Sequence, residues 1–203
     1  MPINTVIDYK SYIAKAVLFD DYVTAFEKAV ETNSQLTEAE QLPYFKYYPL
    51  NLQRTQRILK QYVVTDELLT AINALQKPLH WLVITEPWCG DASQIVPVIA
   101  KIAAASNGKI QLHLVYRDEN LELIDQYLTN GGRAIPKLLQ LDDEYNLLAH
   151  WGPRPAAAQQ LVISLKAQGI PHDELATIVH KWYAENKAAD ISAELLALLK
   201  EVK

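Results

Sequence analysis

The chain has 203 residues, 50% of them apolar, and a net charge of -5. That suits one globular unit with additions, because a compact domain holds about 100–200 residues, and a core of this size needs no disulfide or metal to hold it. Mild acidity with scattered basic residues excludes a nucleic-acid surface, no apolar run is long enough to span a bilayer, and a single cysteine excludes an intrachain disulfide, a zinc ribbon or an iron–sulfur cage built by this chain alone.

The opening MPINTVIDYKSY lacks a basic start followed by an apolar stretch, so no secretory signal is expected, and the lone thiol points to the reducing cytoplasm. Tyr9, Tyr12, Ile13, Ala16, Val23, Phe26 and Val30 follow helical spacing, which predicts an amphipathic helix broken at Asn33 and Ser34. Thr37 and Glu40 form a capping-box pattern that predicts a second helix start. Pro43 and Pro49 bracket the aromatic cluster Tyr44, Phe45, Tyr47 and Tyr48, and another helix is expected from Asn51 to Tyr62. No Gly/Ser linker separates this stretch from the next segment, so residues 1–63 read as an N-terminal helical extension.

Residues 64–168 alternate strands and helices. Thr65 or Asp66 caps a helix through Leu75. Leu79–Thr85 is a short apolar run, read as a buried strand. Glu86–Cys89 is a turn, and Gly90–Ala105 is a helix containing Pro97. Asn107-Gly108 signals a turn before the strand Ile110–Tyr116. A helix is expected over Leu121–Leu128, closed by Asn130-Gly131-Gly132. Lys137–Asp142 and Leu147–Trp151 flank a polar turn as a hairpin. Gly152-Pro153 ends it, and Ala156–Ala167 is a helix stopped by Gly169. The first two strands, joined by a helical crossover, should be parallel, and the last two antiparallel. The expected class is therefore α/β, a mixed four-stranded sheet flanked by helices on both faces. Residues 169–203 add helices over His172–Glu185 and Asp190–Leu199, a second helical extension.

Chemistry concentrates in Trp88-Cys89-Gly90-Asp91-Ala92, between the buried strand and the long helix. A sulfur at a helix N-terminus meets unpaired amides and the positive end of the dipole, which favour the thiolate. Cys89 thus reads as an exposed, reactive thiol rather than an inert core residue. Gly90 permits a tight turn and close approach by a partner, and Pro97 kinks the helix beyond. The Asp91 carboxylate, with Glu86 nearby, opposes ionisation of Cys89. An exposed helix dipole contributes only ~0.3–1 kcal/mol the other way, so one close carboxylate cancels it. Asp91 can also relay protons to or from the sulfur, or simply serve as a first-turn acid.

The five histidines do not cluster. His113 and His150 are placed to meet across the sheet, while His80, His172 and His180 read as surface or element-end residues, so no metal site is expected. Arg54, Arg57 and Lys60 share a helical face that reads as solvated. Arg133, just before Ala134-Ile135-Pro136, is placed to touch a substrate or a thiol's carboxylate. The Tyr44–Tyr48 cluster either packs the extension or covers the groove beside Trp88.

The segment WCGDASQIVP resembles the active-site segment of the thioredoxin family, with Trp, Cys, Gly and a helix proline eight residues after the cysteine. Ala134-Ile135-Pro136 resembles the family's cis-proline loop at the start of the third strand, and Gly152 resembles a family glycine after the last. The resemblance covers about half the chain and implies a thioredoxin-like fold. It implies a cis Ile135–Pro136 bond against Cys89, an isomer found in only ~5–6% of such bonds. The backbone of Ile135 would then be offered to an extended peptide pairing as an added strand, with Trp88 as one wall of the groove.

The chain departs from the family at the resolving position. Dithiol members carry a second cysteine three residues after the first, where Ala92 stands, and Asp91 replaces the usual proline. The resemblance therefore implies a monothiol thiol–disulfide oxidoreductase. Cys89 and Asp91 would carry the chemistry, and Trp88, Gly90, Arg133, Ile135 and Pro136 would bind substrate. A protein or small-molecule disulfide would be the substrate, and an external thiol would resolve the mixed disulfide on Cys89. No cofactor beyond such a co-substrate thiol is implied, and no metal, nucleic acid or membrane. The Gly-Gly-x-x-Asp stretch of glutaredoxins is absent after Pro136. Two rival readings remain: a redox-inactive peptide-binding or assembly module, and a peroxide-sensing thiol that passes through a sulfenic acid.

Overall fold

The computed structural model describes residues 7–202. Asp8 caps helix α1 (Tyr9–Lys15) by accepting the Ser11 N–H, and α2 spans Phe19–Asn33. The periodicity predicts one helix here, but there are two. Val17 leaves the helical path to exchange backbone hydrogen bonds of 2.9 and 3.0 Å with Leu114 of the second strand, β2 (Ile110–Tyr116). The apolar spacing runs on through the break, so the pattern hides it. That bridge also protects part of an otherwise bare sheet edge.

The capping-box contacts do form, with the Thr37 N–H and hydroxyl donating to Glu40 Oε2 at 3.1 and 2.7 Å. Only a turn comes after them, because Pro43 arrives before a helix can propagate. Tyr44 takes a left-handed φ of 61° and leads through the short turn Phe45–Tyr47 into α3 (Tyr48–Gln61). This helix starts before Asn51 because Pro49 sits in its first turn, where a missing N–H costs nothing. Thr65 Oγ1 caps α4 (Asp66–Ala74).

Strand β1 (Leu79–Thr85) is buried along its whole length. It lies between β2, which runs parallel, and β3 (Lys137–Leu141), which runs antiparallel. Strand β4 (Leu147–Trp151) completes the order β2-β1-β3-β4. Such inner strands have no solvent face, which is why they read as continuous apolar runs. Removing a fully buried side chain such as Leu82 or Leu114 costs about 2–5 kcal/mol. Two polar groups in this layer pair with each other and with the closing helix of the chain: the Trp81 indole donates to Gln140 Oε1, and Gln140 Nε2 donates to the Leu198 carbonyl.

The long helix α5 (Gly90–Ala105) comes after β1, and α6 (Leu121–Ile124) after β2, giving way at once to the tight turn Asp125–Tyr127 instead of running to Leu128. Helices α7 (Ala156–Ala167), α8 (His172–Asn186) and α9 (Ala189–Lys200) close the chain. His113 and His150 do not meet, since β2 and β4 are opposite edges of the sheet. His113 Nε2 instead lies 3.2 Å from Nδ1 of His80, which is buried rather than superficial, and Tyr145 stacks on His80 at 4.6 Å.

Candidate functional site

Cys89 is the N-cap of α5. Its Sγ accepts the Ala92 N–H at 3.5 Å, and its S–H donates to the Ile135 carbonyl at 3.3 Å. The Ile135–Pro136 peptide is cis, and so is Gly152–Pro153. Gly152 has φ of +107°, and a Cβ there would lie 2.4 Å from the Pro136 carbonyl oxygen. Only glycine lets the chain after β4 press against the loop entering β3.

The sulfur is less accessible than a helix-start position suggests, with Cys89 only 8% exposed. Burial, and then the Asp91 carboxylate, push its thiol up to about 12, against the helix-start N–H groups and Arg154. The reason lies in helices distant in sequence. From α8, His180 Nε2 sits 2.7 Å from where a Gly90 Cβ would be, and Arg54 Nη1 of α3 sits 3.7 Å from that point. Gly90 has no positive φ, so its need for glycine comes from this close approach rather than from the turn. Tyr44 packs on the Trp88 indole at 5.3 Å, and Arg117 lies over the same ring at 4.5 Å.

Asp91 does not point to solvent. Arg154 holds it with two hydrogen bonds of 2.8 and 2.5 Å, and the Tyr183 hydroxyl donates to its Oδ1 at 2.9 Å. The fork-shaped guanidinium matches both carboxylate oxygens, so α5 is pinned to the segment before α7 and to α8. The sequence singles out Asp91 but not its partners, which lie 63 and 92 residues away.

The helical spacing of Arg54 and Arg57 predicts a solvated face, and both are half-buried instead. Arg54 Nη1 donates to Asn51 Oδ1 at 2.9 Å, and Arg57 Nη2 donates to Gln94 Oε1 at 3.0 Å. A guanidinium only donates, so the Gln94 amide oxygen faces Arg57 and its NH2 faces His180 Nδ1 at 3.3 Å. The His180 proton therefore sits on Nε2, above Gly90. Burial, and then Arg54, push His180 down to about 4, so this imidazole is neutral at physiological pH. The sequence places His180 at the surface; its burial comes from packing onto α5, for which the sequence carries no local signal.

Arg133 donates to both oxygens of Asp125 at 2.6 and 2.8 Å and is exposed, and its carbonyl accepts from Arg117 Nη1 at 3.4 Å. Glu86 is a further buried acid, three residues before the cysteine. Burial pushes it up to about 7 although the Asp118 N–H donates to its Oε1 at 2.9 Å. It borders a cavity of about 260 Å³ that Phe26, Tyr48, Tyr116, Asp118 and Glu119 also line. Among the described residues, no group of three or more His, Cys, Asp and Glu could hold a metal ion, and no helix is long and apolar enough to cross a membrane.

The structure thus brings Cys89 and Ile135 into contact, turns Asp91 toward Arg154, and leaves Arg133 on Asp125. A cysteine capping the helix after an inner strand, facing a proline-led third strand, defines a thioredoxin-type α/β protein. A family model described as Thioredoxin matches residues 39–167, and the chain belongs to the thioredoxin family. It is similar to Thioredoxin 1 of Nostoc sp. (strain PCC 7120), 42% identical over 53 residues, or 26% of this chain and 47% of that protein. The match spans about half the length of that relative. Two solved structures share the fold. An HIV epitope scaffold has a TM-score of 0.62 at 18% identity, covering 97% of this chain and 100% of its own. A protein of unknown function from Pseudomonas aeruginosa has a TM-score of 0.55 at 19% identity, covering 91% of this chain and 99% of its own.

Proposed function

We propose that this protein carries out monothiol thiol–disulfide exchange. Cys89 forms a mixed disulfide with a protein or small-molecule disulfide, and an external thiol resolves it because Ala92 offers no second sulfur. The observation that carries the reading is the 3.3 Å contact between Cys89 Sγ and the Ile135 carbonyl. It sets the sulfur beside the backbone that an incoming extended substrate would pair with. Trp88, Gly90, Ile135 and Pro136 then frame the substrate, Arg133 stands at the rim, and Asp91 tunes the thiol through its charge. No cofactor beyond the external thiol enters the reaction, and a reducing cytoplasm supplies that thiol.

The second reading, a redox-inactive binding module on the same fold, is favoured by the burial of Cys89 and its raised pKa. Intact-mass measurement separates the two. Under the exchange reading, reduced wild type incubated with bis(2-hydroxyethyl) disulfide gains one adduct, which excess small thiol removes, and Cys89→Ser gains none. A folded wild type that stays unlabelled, while its urea-unfolded chain is labelled, would rule out exchange and favour the binding module.

A further inference from the structure

Four of the five arginines of this acidic chain touch the cysteine turn or the helix it starts. Arg54 lies against Gly90, Arg57 is bound to Gln94 of α5, Arg117 covers Trp88, and Arg154 holds Asp91. Arg133 stands two residues before Ile135, whose carbonyl takes the Cys89 S–H. Three of the five have counter-charges: Arg117 pairs with Asp118, Arg133 with Asp125 and Arg154 with Asp91. Arg54 and Arg57 are different. Their guanidinium groups meet only neutral amide oxygens, from Asn51 and Gln94, and among the described residues no carboxylate lies within ion-pair distance of either. Arg57 Nε is buried with no hydrogen-bond partner.

Two half-buried guanidinium ions one helical turn apart repel each other and have given up part of their hydration. Such an arrangement is stabilised by an anion, and a planar carboxylate fits the guanidinium fork. The neutral His180 adds an Nε2–H donor directly above Gly90, because Gln94 occupies its other nitrogen. The positive groups converge next to the chain's one cysteine, while the net charge of the whole is -5.

We propose that Arg54, Arg57 and the His180 Nε2–H form a subsite for the carboxylate of a low-molecular-weight thiol, or of its disulfide, that exchanges at Cys89. This rests on the thiol–disulfide reading above and names its substrate class. A small molecule rather than a polypeptide fits the approach, which Tyr44, Arg54 and His180 narrow and which leaves Cys89 8% exposed. In the exchange, the Cys89 thiol first loses its proton to solvent. The thiolate attacks one sulfur of R–S–S–R, making Cys89–S–S–R and releasing R–S⁻, which takes up a proton. A second R–S⁻ then attacks the R sulfur of the mixed disulfide, giving back R–S–S–R and the Cys89 thiolate. The small disulfide is the oxidant in the first step and the second thiol is the reductant in the other.

The test compares three small disulfides: 3,3′-dithiodipropionate, which is a dianion, neutral bis(2-hydroxyethyl) disulfide, and cystamine, which is a dication. Rates of adduct formation on Cys89 are divided by the rates with a free small thiol, to remove intrinsic reactivity. The dianion is expected to lead the neutral disulfide by about tenfold at low salt, as one charged hydrogen bond supplies, with cystamine slowest and the gap closing at high salt. Arg54→Gln with Arg57→Gln should erase the preference, while Arg54→Lys with Arg57→Lys should keep part of it. Equal normalised rates in wild type, or an undiminished preference in the glutamine variant, would overturn the subsite. Binding of S-methylglutathione to Cys89→Ser, measured by calorimetry, separates this from the exchange reading. If Cys89 reacts with no disulfide but S-methylglutathione binds and the glutamine changes abolish it, the subsite stands and exchange fails. Absence of that binding overturns the subsite. An acidic peptide that binds more tightly and displaces S-methylglutathione overturns the small-molecule assignment.

Discussion

The two ends of β1 make a useful contrast. Beyond its last residue, Thr85, come the buried Glu86, the capped sulfur and the arginines, with a cavity of about 260 Å³ beside Glu86. Around its first residue, Leu79, lies a cavity of about 790 Å³ lined largely by carbon, from Ala71 and Leu75 to Leu148, Leu199 and Val202. Several polar groups on its wall are already engaged: Gln140 with Trp81 and Leu198, Asp143 with Lys77, and Asp142 with its own turn. Volume is greater at one end and chemistry is concentrated at the other. Reaction needs charge and hydrogen-bonding groups held against a nucleophile, and such groups fill space rather than leave it. Changes at the sulfur end should therefore move stability, titration and thiol reactivity together, whereas changes at the cavity end should move none of them much.

Asp91→Asn should give the largest effect. The Arg154 side chain is only 20% exposed, and the change removes its counter-charge. Breaking a largely buried pair on one side costs about 2–3 kcal/mol, read as a fall in the urea midpoint. Loss of the carboxylate also removes one cause of the raised Cys89 pKa and leaves Arg154 to favour the thiolate. The pH profile of Cys89 alkylation should shift to lower pH, from a wild-type midpoint near 12. A variant that loses stability without shifting that profile would show that Asp91 acts as an anchor only.

How much of this is legible in the sequence depends on how local each cause is. The strands and α5 are readable because inner strands are continuous apolar runs bounded by turn residues, and the Cys89 turn lies where one such run meets a helix. The break between α1 and α2 is hidden because Val17 bridges to β2 without interrupting the apolar spacing. The contact between Cys89 and Ile135 is expected from the family likeness of two short motifs. Of the cover over the site, the sequence offers Tyr44 beside Trp88 as one of two readings, and the rest is not expected. Arg54, His180 and Tyr183 come from helices on both sides of the chain, and each sits on an ordinary amphipathic pattern whose buried face names no partner.

Glu86→Gln should have a smaller and strictly pH-dependent effect. Burial raises the Glu86 carboxyl from an ordinary 4.5 to about 7. Between those values the unfolded chain has released this proton while the folded one keeps it, so folding grows weaker as pH rises through that window and levels off above it. After allowance for partial hydration the loss is about 1–2 kcal/mol. The glutamine keeps an acceptor for the Asp118 N–H but does not titrate. Half-buried His113 and His180, both held down to about 4, add a rise with pH that wild type and variant share, so from pH 4.5 to 7 the urea midpoint of wild type should fall relative to that of the variant. Parallel slopes would place the dependence on another group.

Leu148→Ser probes the other end and should do least. Leu148 is 46% exposed on the edge strand β4 and lines the large cavity. A substitution at such a site changes stability by about 0.5 kcal/mol or less. The alkylation profile of Cys89 and the preference among small disulfides should both match wild type. The route between the ends runs through β3, which pairs with both β1 and β4, so a shift in either thiol readout would mean that the sheet transmits strain along its full width. In that case the carbon-lined cavity could no longer be treated as separate from the sulfur, and a molecule filling it would be expected to tune Cys89. An unchanged profile, with Asp91→Asn and Glu86→Gln shifted as described, confines the chemistry to the charged end.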